Sequence, residues 1–407
     1  MKILNLHGFM GEADNKNYKA LCSLFPENDI ISPKLNYMAN APEEILKHLS
    51  DLIDSDNFIF VGQSLGGWYA DQLSRKFKRS CILTNPCYYP HELKLIETSG
   101  IPSEFLEQYR KMSDIDKNER AYTLCSDKDT ILPDNYSSCA MLSERVIRVQ
   151  GSHSTIECLK EHISELLTEI KNDTLLLFCG RGSAFTDEHN SAFFVDDNDL
   201  VLIDCPATSY QKVKKMNLEK YNNIYILITH THGDHSGGVG TMLQYVWFTS
   251  YMKKKVTIIA PSAEVKEDLL LLLMRIEGCE QEWFNIITAE ELNKAWFVAA
   301  IPTTHVIPLE GRCFGYHLNI HGNNVVYTGD TSTLEPFKSL LKNGSFLYTE
   351  AAYYKSSVHL CLKDMLQELI ELSASGVHVY LMHVDVEEEI KEMIADTTLK
   401  LARLYEE

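Results

Sequence analysis

An apolar run, Ile224-Tyr225-Ile226-Leu227-Ile228, leads straight into Thr229-His230-Thr231-His232-Gly233-Asp234-His235. Three imidazoles and a carboxylate this close together are costly to bury for packing alone, and they are the ligand types that first-row metals favour. The chain must therefore fold so that this turn sits at the end of a strand, with metal chemistry as its purpose.

A second constellation lies upstream. Phe58-Ile59-Phe60-Val61 runs into Gly62-Gln63-Ser64-Leu65-Gly66-Gly67, and a helical pattern follows at once. This is G-x-S-x-G between a strand and a helix, where glycine is needed because the serine backbone is strained and strand and helix approach closely. Ser64 is the expected nucleophile. The Leu65 amide, at the helix start, is one expected oxyanion donor, and the Phe9 amide, after Ile3 to Leu6 and His7-Gly8, is the other. The partners should follow in the order acid, then histidine. Asp129 and His153 each come after a strand-like run, with Asp127 an open rival for the acid. In this reading Ser64 attacks, His153 takes and returns its proton, and the acid fixes the imidazole tautomer.

Two such sites need two domains, and 407 residues supply them, since a single core stops growing near ~250 residues. Up to residue 171, short β-type runs alternate with helical patterns, which predicts βαβ units and a parallel sheet. A helix over Thr155 to Ile170 closes that part. From 172 to 407 the pattern changes to paired strand-like runs, such as Ser191 to Val195 and Leu200 to Asp204, joined by turn residues.

With 38 basic against 57 acidic residues, the net charge of −19 excludes bulk DNA or RNA binding, so a nucleic-acid substrate must be small. The 11 cysteines include no C-x-x-C pair, a usage that suits buried thiols in a reducing cytosol. No run reaches the ~18 apolar residues that span a bilayer; Leu269 to Met274 reads as part of a core helix. The start, Met1 to Gly8, is too short in its apolar run for a signal peptide, and a cytoplasmic location is expected.

Residues 1 to about 170 resemble a small, lidless α/β hydrolase of the bacterial esterase type, through Leu4-Asn5-Leu6-His7-Gly8-Phe9 and Gly62-Gln63-Ser64-Leu65-Gly66-Gly67-Trp68-Tyr69-Ala70. That resemblance implies hydrolysis of esters or thioesters without a cofactor. The histidine turn resembles the metallo-β-lactamase superfamily, and the likeness extends to His305, Asp330 and His383. It implies that His230, His232 and His305 hold one divalent ion and that Asp234, His235 and His383 hold a second. Asp330 would bridge the two, and Asp234 also counts among the catalytic residues. Zinc is the expected metal, with manganese or iron compatible with the ligand types.

Leu176 to Phe185, Asn190 to Phe194, Leu200 to Cys205 and Gly315-Tyr316 resemble ribonuclease Z and related phosphodiesterases. So does Glu350-Ala351-Ala352, with His359 as candidate general acid, and the dimeric members of that group imply a homodimer. The expected class is α/β with two domains, an α/β-hydrolase parallel sheet followed by a metallo-β-lactamase αββα sandwich. The expected function is a bifunctional hydrolase, a serine esterase or thioesterase joined to a dinuclear-metal phosphodiesterase acting on small molecules. Two alternatives stay open: a lactonase, thioesterase or β-lactamase-like acyl hydrolase in the second domain, or a non-catalytic binding module in one of them.

Overall fold

The computed structural model describes residues 2–53, 58–113, 116–133, 135–249 and 253–405. The chain divides into two units, Met1–Asn172 and Asp173–Glu406.

In the first unit β1 (Lys2–Leu6), β2 (Ile30–Ile31), β3 (Phe58–Gln63), β4 (Cys81–Thr84), β5 (Asn118–Ser126) and β6 (Ser143–Val149) form one sheet in the order β2-β1-β3-β4-β5-β6. Every pairing in it is parallel. The strands read as unbroken apolar runs because both faces are covered. Leu4, Leu6 and Phe60 pack with Trp68, Tyr69 and Leu73 from the helix Leu65–Phe77. Ile3, Ile59 and Val61 pack with Ile163 and Leu166 from the helix Leu159–Asp173. Chain order reverses at β1, so the carboxyl ends of β1 and β3 flank the crevice where such sheets place their sites.

The closing helix begins later than the expected Thr155. A short hairpin, β7 (Gly151–Ser152) with β8 (Thr155–Ile156), takes up that backbone and carries His153 at its tip.

The second unit stacks two sheets. One comprises β9 (Leu177–Gly180), β10 (Ser191–Asp196), β11 (Asp199–Ile203), β12 (Ile224–Leu227), β13 (Val256–Ala260) and β14 (Phe284–Thr288), running from β14 to β9 in sequence-reversed order. The other comprises β15 (Phe297–Pro302), β16 (Phe314–Ile320), β17 (Asn323–Tyr327), β18 (Phe346–Glu350), β19 (His378–Met382) and β20 (Lys400–Leu401), in chain order. The β10–β11 hairpin turns on Asp197 and Asn198, both with positive φ, as a two-residue turn of that twist requires.

Alternation sorts each strand between two cores. Val201, Ile203, Tyr327 and Tyr348 point between the sheets, with Trp296 and Tyr380. Leu200 and Leu202 point outward to the helices Val239–Phe248 and Ala263–Leu270, while Leu347 and Leu381 point outward to Leu362–Ala374 and Glu387–Ile394. The result is an αββα sandwich.

Leu269 to Met274, expected as part of a core helix, begins in that helix, which ends at Leu270 and widens into a π-helical turn, Leu271–Ile276. Leu269 and Leu273 are buried in the core, whereas Leu271 and Met274 are exposed. Among the described residues no helix is long and apolar enough to cross a membrane. All the cysteines are free thiols, and all but Cys22 and Cys158 are buried.

Arg181 fastens the second unit's first strand to its end. Its guanidinium donates to both Glu387 carboxylate oxygens, at 2.8 and 2.6 Å, and to the Ala402 carbonyl at 2.7 Å. The Arg181 bonds to the carboxylate, helped by Lys391 at 2.9 Å, outweigh burial and lower the Glu387 pKa to about 2. Because the folded value lies below the unfolded one, this stability is present above pH ~4.5 and is lost as pH falls towards ~2. Replacing Arg181 by Met should cost about 1–3 kcal/mol at neutral pH, partly offset by solvent screening at Glu387, whose side chain is 32% exposed. Denaturant melts between pH 2 and 7 should show a shallower acid dependence in the variant.

Candidate active sites

In the first unit β3 delivers Ser64 into a sharp turn with φ 52° and ψ −119°, immediately before the helix at Leu65. The two motif glycines are dictated by contact: a Cβ on Gly62 would stand 2.3 Å from the Gly66 carbonyl oxygen, and one on Gly66 would stand 2.4 Å from the Leu6 and His7 carbonyl oxygens. Ser64 Oγ lies 2.9 Å from His153 Nε2, and His153 Nδ1 donates to Asp129 Oδ2 at 2.8 Å. The other Asp129 oxygen accepts from the amides of Ile131 and Leu132, at 2.9 Å each.

Burial pushes the Asp129 carboxyl up, but the His153 bond and those amides outweigh it and hold the group below the usual carboxylate range. Asp127 instead uses a carboxylate oxygen on the Gly151 amide, at 3.0 Å. Of the two acids, Asp129 is therefore the one that meets the imidazole. Leu65 opens its helix, and Gly8 packs directly against Ser64, which brings the Phe9 backbone to the same crevice.

In the second unit the ligand turn follows β12, and the downstream residues arrive after β15 (His305), β17 (Asp330) and β19 (His383). The side chains converge in two groups on either side of Asp330, and Asp330 also clusters with His383 and His359. Its Oδ2 faces His230 Nε2 at 3.9 Å and His305 Nε2 at 3.6 Å, with His232 in the same cluster. Its Oδ1 faces His235 Nε2 at 3.3 Å and His383 Nε2 at 3.5 Å. Asp234 Oδ2 completes the second group, 3.3 Å from His235 Nε2 and 3.4 Å from His383 Nε2. Ligand atoms at metal bonds of 2.0–2.1 Å stand about 3.3 Å apart at tetrahedral angles, close to these separations.

The donor chemistry fits ions as well as the spacing does. His230 Nε2 and His232 Nδ1 face each other at 2.9 Å. The buried His235 Nε2 and Asp330 Oδ1 have no hydrogen-bond partner. The opposite ring nitrogens are already committed: His235 Nδ1 to Asp204 at 2.8 Å, His230 Nδ1 to Thr229 Oγ1 at 3.1 Å and His305 Nδ1 to the Val358 carbonyl at 2.9 Å. Such outer bonds fix the tautomer and aim the free lone pair inward. Burial, then neighbouring imidazoles, holds His230 and His232 below the ordinary histidine range, in the neutral form that binds metal.

His359 lies against the same site. Its Nδ1 donates to Glu350 Oε2 at 2.6 Å, and its ring stands 4.8 Å from that of His305. Glu350 is buried and also accepts from the Thr331 amide. Asp204 was not singled out from the sequence, yet its carboxylate binds the Thr229 amide and hydroxyl as well as His235. The available signal was an acid ending the apolar run Leu200 to Ile203.

Fold and sites together define a chain of two hydrolase folds, an α/β-hydrolase unit followed by a metallo-β-lactamase-fold unit. Residues 174–404 match the family model described as "Anti-Pycsar protein Apyc1". This match spans more than half of the chain, which belongs to that family. Residues 2–168 match a second model, described as "Uncharacterised protein family (UPF0227)".

A relative from Bacillus phage 010DV004, also named "Anti-Pycsar protein Apyc1", is 27% identical over 229 residues, 51% of this chain and 88% of its own length. Among solved structures, the metallo-beta-lactamase fold protein YhfI from Bacillus subtilis aligns with TM-score 0.45 and 16% identity, over 56% of this chain and 95% of its own. Mouse alpha/beta hydrolase domain-containing protein 10 aligns with TM-score 0.34 and 16% identity, over 43% and 90%.

If Asp204 aims His235, Asp204→Ala should weaken metal retention about 10- to 100-fold. Competition against a chromophoric chelator reads this directly, and unchanged affinity in a folded variant would leave Asp204 with a packing role only.

Proposed function

We propose that the second unit is a dinuclear-metal hydrolase of small phosphodiesters and that the first is a serine esterase or thioesterase. The observation that carries the metal reading is the division of Asp330, one carboxylate oxygen towards each ligand group. His230, His232 and His305 would hold one ion, Asp234, His235 and His383 the other, and Asp330 both. Two bound divalent ions, with zinc expected, would supply Lewis-acid charge for the attacking and departing oxygens.

The chain's own contribution is positional. Glu350 holds His359 through Nδ1, which leaves Nε2 to give a proton to the departing oxygen. A net charge of −19 disfavours a long polyanion, so the proposed substrate carries few phosphates. Membership in a family named for anti-Pycsar proteins adds the proposal that the chain works in that capacity, and cyclic mononucleotides are the first phosphodiesters to try.

At the first site Ser64 Oγ attacks the acyl carbon while His153 Nε2 takes its proton, and Asp129 balances the imidazolium. The Leu65 and Phe9 amides would receive the developing oxyanion. His153 returns the proton to the leaving group, and water then repeats the sequence to free Ser64.

Ser64→Ala should abolish p-nitrophenyl ester turnover and spare a chelator-sensitive phosphodiesterase activity; Asp330→Ala should do the reverse. Equal loss of both activities in either variant would sink the idea of independent sites. Plasma mass spectrometry on tag-free protein should find about two divalent ions per chain. A panel of cyclic mononucleotides, linear phosphodiesters, lactones and thioesters then tests the substrate class, and a metal-dependent preference for the acyl compounds would overturn the phosphodiester reading.

A further inference from the structure

Asn85 directly follows β4, is fully buried and holds a left-handed backbone, φ 46°. Its Oδ1 accepts from the Ser126 amide at 2.7 Å. Its Nδ2 donates to Ser126 Oγ and to the His153 carbonyl at 2.9 Å each, and to the Ser152 carbonyl at 3.2 Å. Ser126 Oγ donates in turn to the Ser152 carbonyl at 3.0 Å. Ser126 ends β5, just ahead of Asp129, and Ser152-His153 is the loop that carries the imidazole.

The flanking backbone reaches the third member. The Thr84 carbonyl accepts from the Ser64 amide, and the Cys87 amide donates to the Ser64 carbonyl, both at 3.0 Å. The stretch from Thr84 to Cys87 thus binds the nucleophile's own backbone and the loops that carry the acid and the base. A residue needed only to fill space could be apolar here; this carboxamide instead spends both polar atoms on the catalytic loops, at the cost of a disfavoured backbone.

We infer that Asn85 is a positioning residue of the serine site, holding the His153 loop where Nε2 meets Ser64 Oγ. The inference rests on the serine-hydrolase reading above. Asn85→Asp keeps the size and the Oδ1 acceptor but turns an oxygen towards the Ser152 and His153 carbonyls, whereas Asn85→Gly keeps the left-handed backbone and deletes the amide.

The full chain and both variants are compared by p-nitrophenyl acetate kinetics against pH, by fluorophosphonate titration of Ser64 and by thermal melting. In folded variants kcat per titrated site should fall about 10- to 100-fold with KM within about threefold, the ascending pH limb should move, and labelling should slow in parallel. Unchanged kcat per titrated site and an unmoved pH limb in a folded variant overturn the inference. Should both variants fail to fold, Ser126→Ala, which removes one hydroxyl from the same network, must show the smaller loss in the same direction, and wild-type kinetics there would also overturn it. A wild-type chain that neither labels at Ser64 nor turns over esters rejects the serine-hydrolase reading itself, which is a distinct result.

Discussion

The second unit is organised around carboxylates and imidazoles that have been taken almost wholly out of water. Asp204, His230, His235, Asp330 and Glu350 are all buried, and a buried polar group left without a partner costs about 1–3 kcal/mol. Each of them therefore has to be matched. Asp204 is matched by Thr229 and His235, and Glu350 by Thr331 and His359. Asp330 stands between two groups of nitrogen ligands and keeps one oxygen unpaired. The two stacked sheets supply the rigid strand ends from which these side chains project, so the tolerance of the site is that of the core.

Left-handed backbone serves turns such as Asp197-Asn198, and it also recurs at the sites. Ser64, Asn85, Asp204 and His383 all have positive φ, between 46° and 61°, a conformation that costs a non-glycine residue about 1–3 kcal/mol. Each directly follows a strand of its sheet, and the turn aims its side chain or its backbone at a site. The strands hold the strain in place: Ser64 is hydrogen-bonded by Thr84, at the end of β4, and by Cys87 just beyond it, and the His383 amide donates to Asn190 Oδ1.

Local chemistry was the legible part of the sequence. Ser64 and the turn from His230 to His235 announce themselves because their ligands and glycines are contiguous. The parallel sheet of the first unit was readable from short apolar runs alternating with helical patterns, whereas the stacked sheets of the second came through resemblance. His305, Asp330 and His383 were reachable only through resemblance, since nothing in their own segments says that they meet. Asp204 and Asn85 went unread for the same reason: their partners lie 31 and up to 68 residues away. Asp127 and Asp129 could not be separated by position along the chain, and only the fold spends one on an amide and the other on an imidazole. The late start of the closing helix was hidden because Thr155 suits a strand or a helix start equally well.

β9 gains a partner on its open side from the far end of the same unit. The Phe178 amide donates to the Arg403 carbonyl, and the Phe178 carbonyl accepts from the Tyr405 amide. Together with the Arg181 contact to Ala402, this means that the first strand of the metal unit is finished by residues more than 200 positions later. On a ribosome the first unit has its whole sheet available long before then and can fold as soon as it emerges. The metal unit must wait with an open sheet edge until residues 402 to 405 are made, which makes it the half more exposed to misassembly during synthesis.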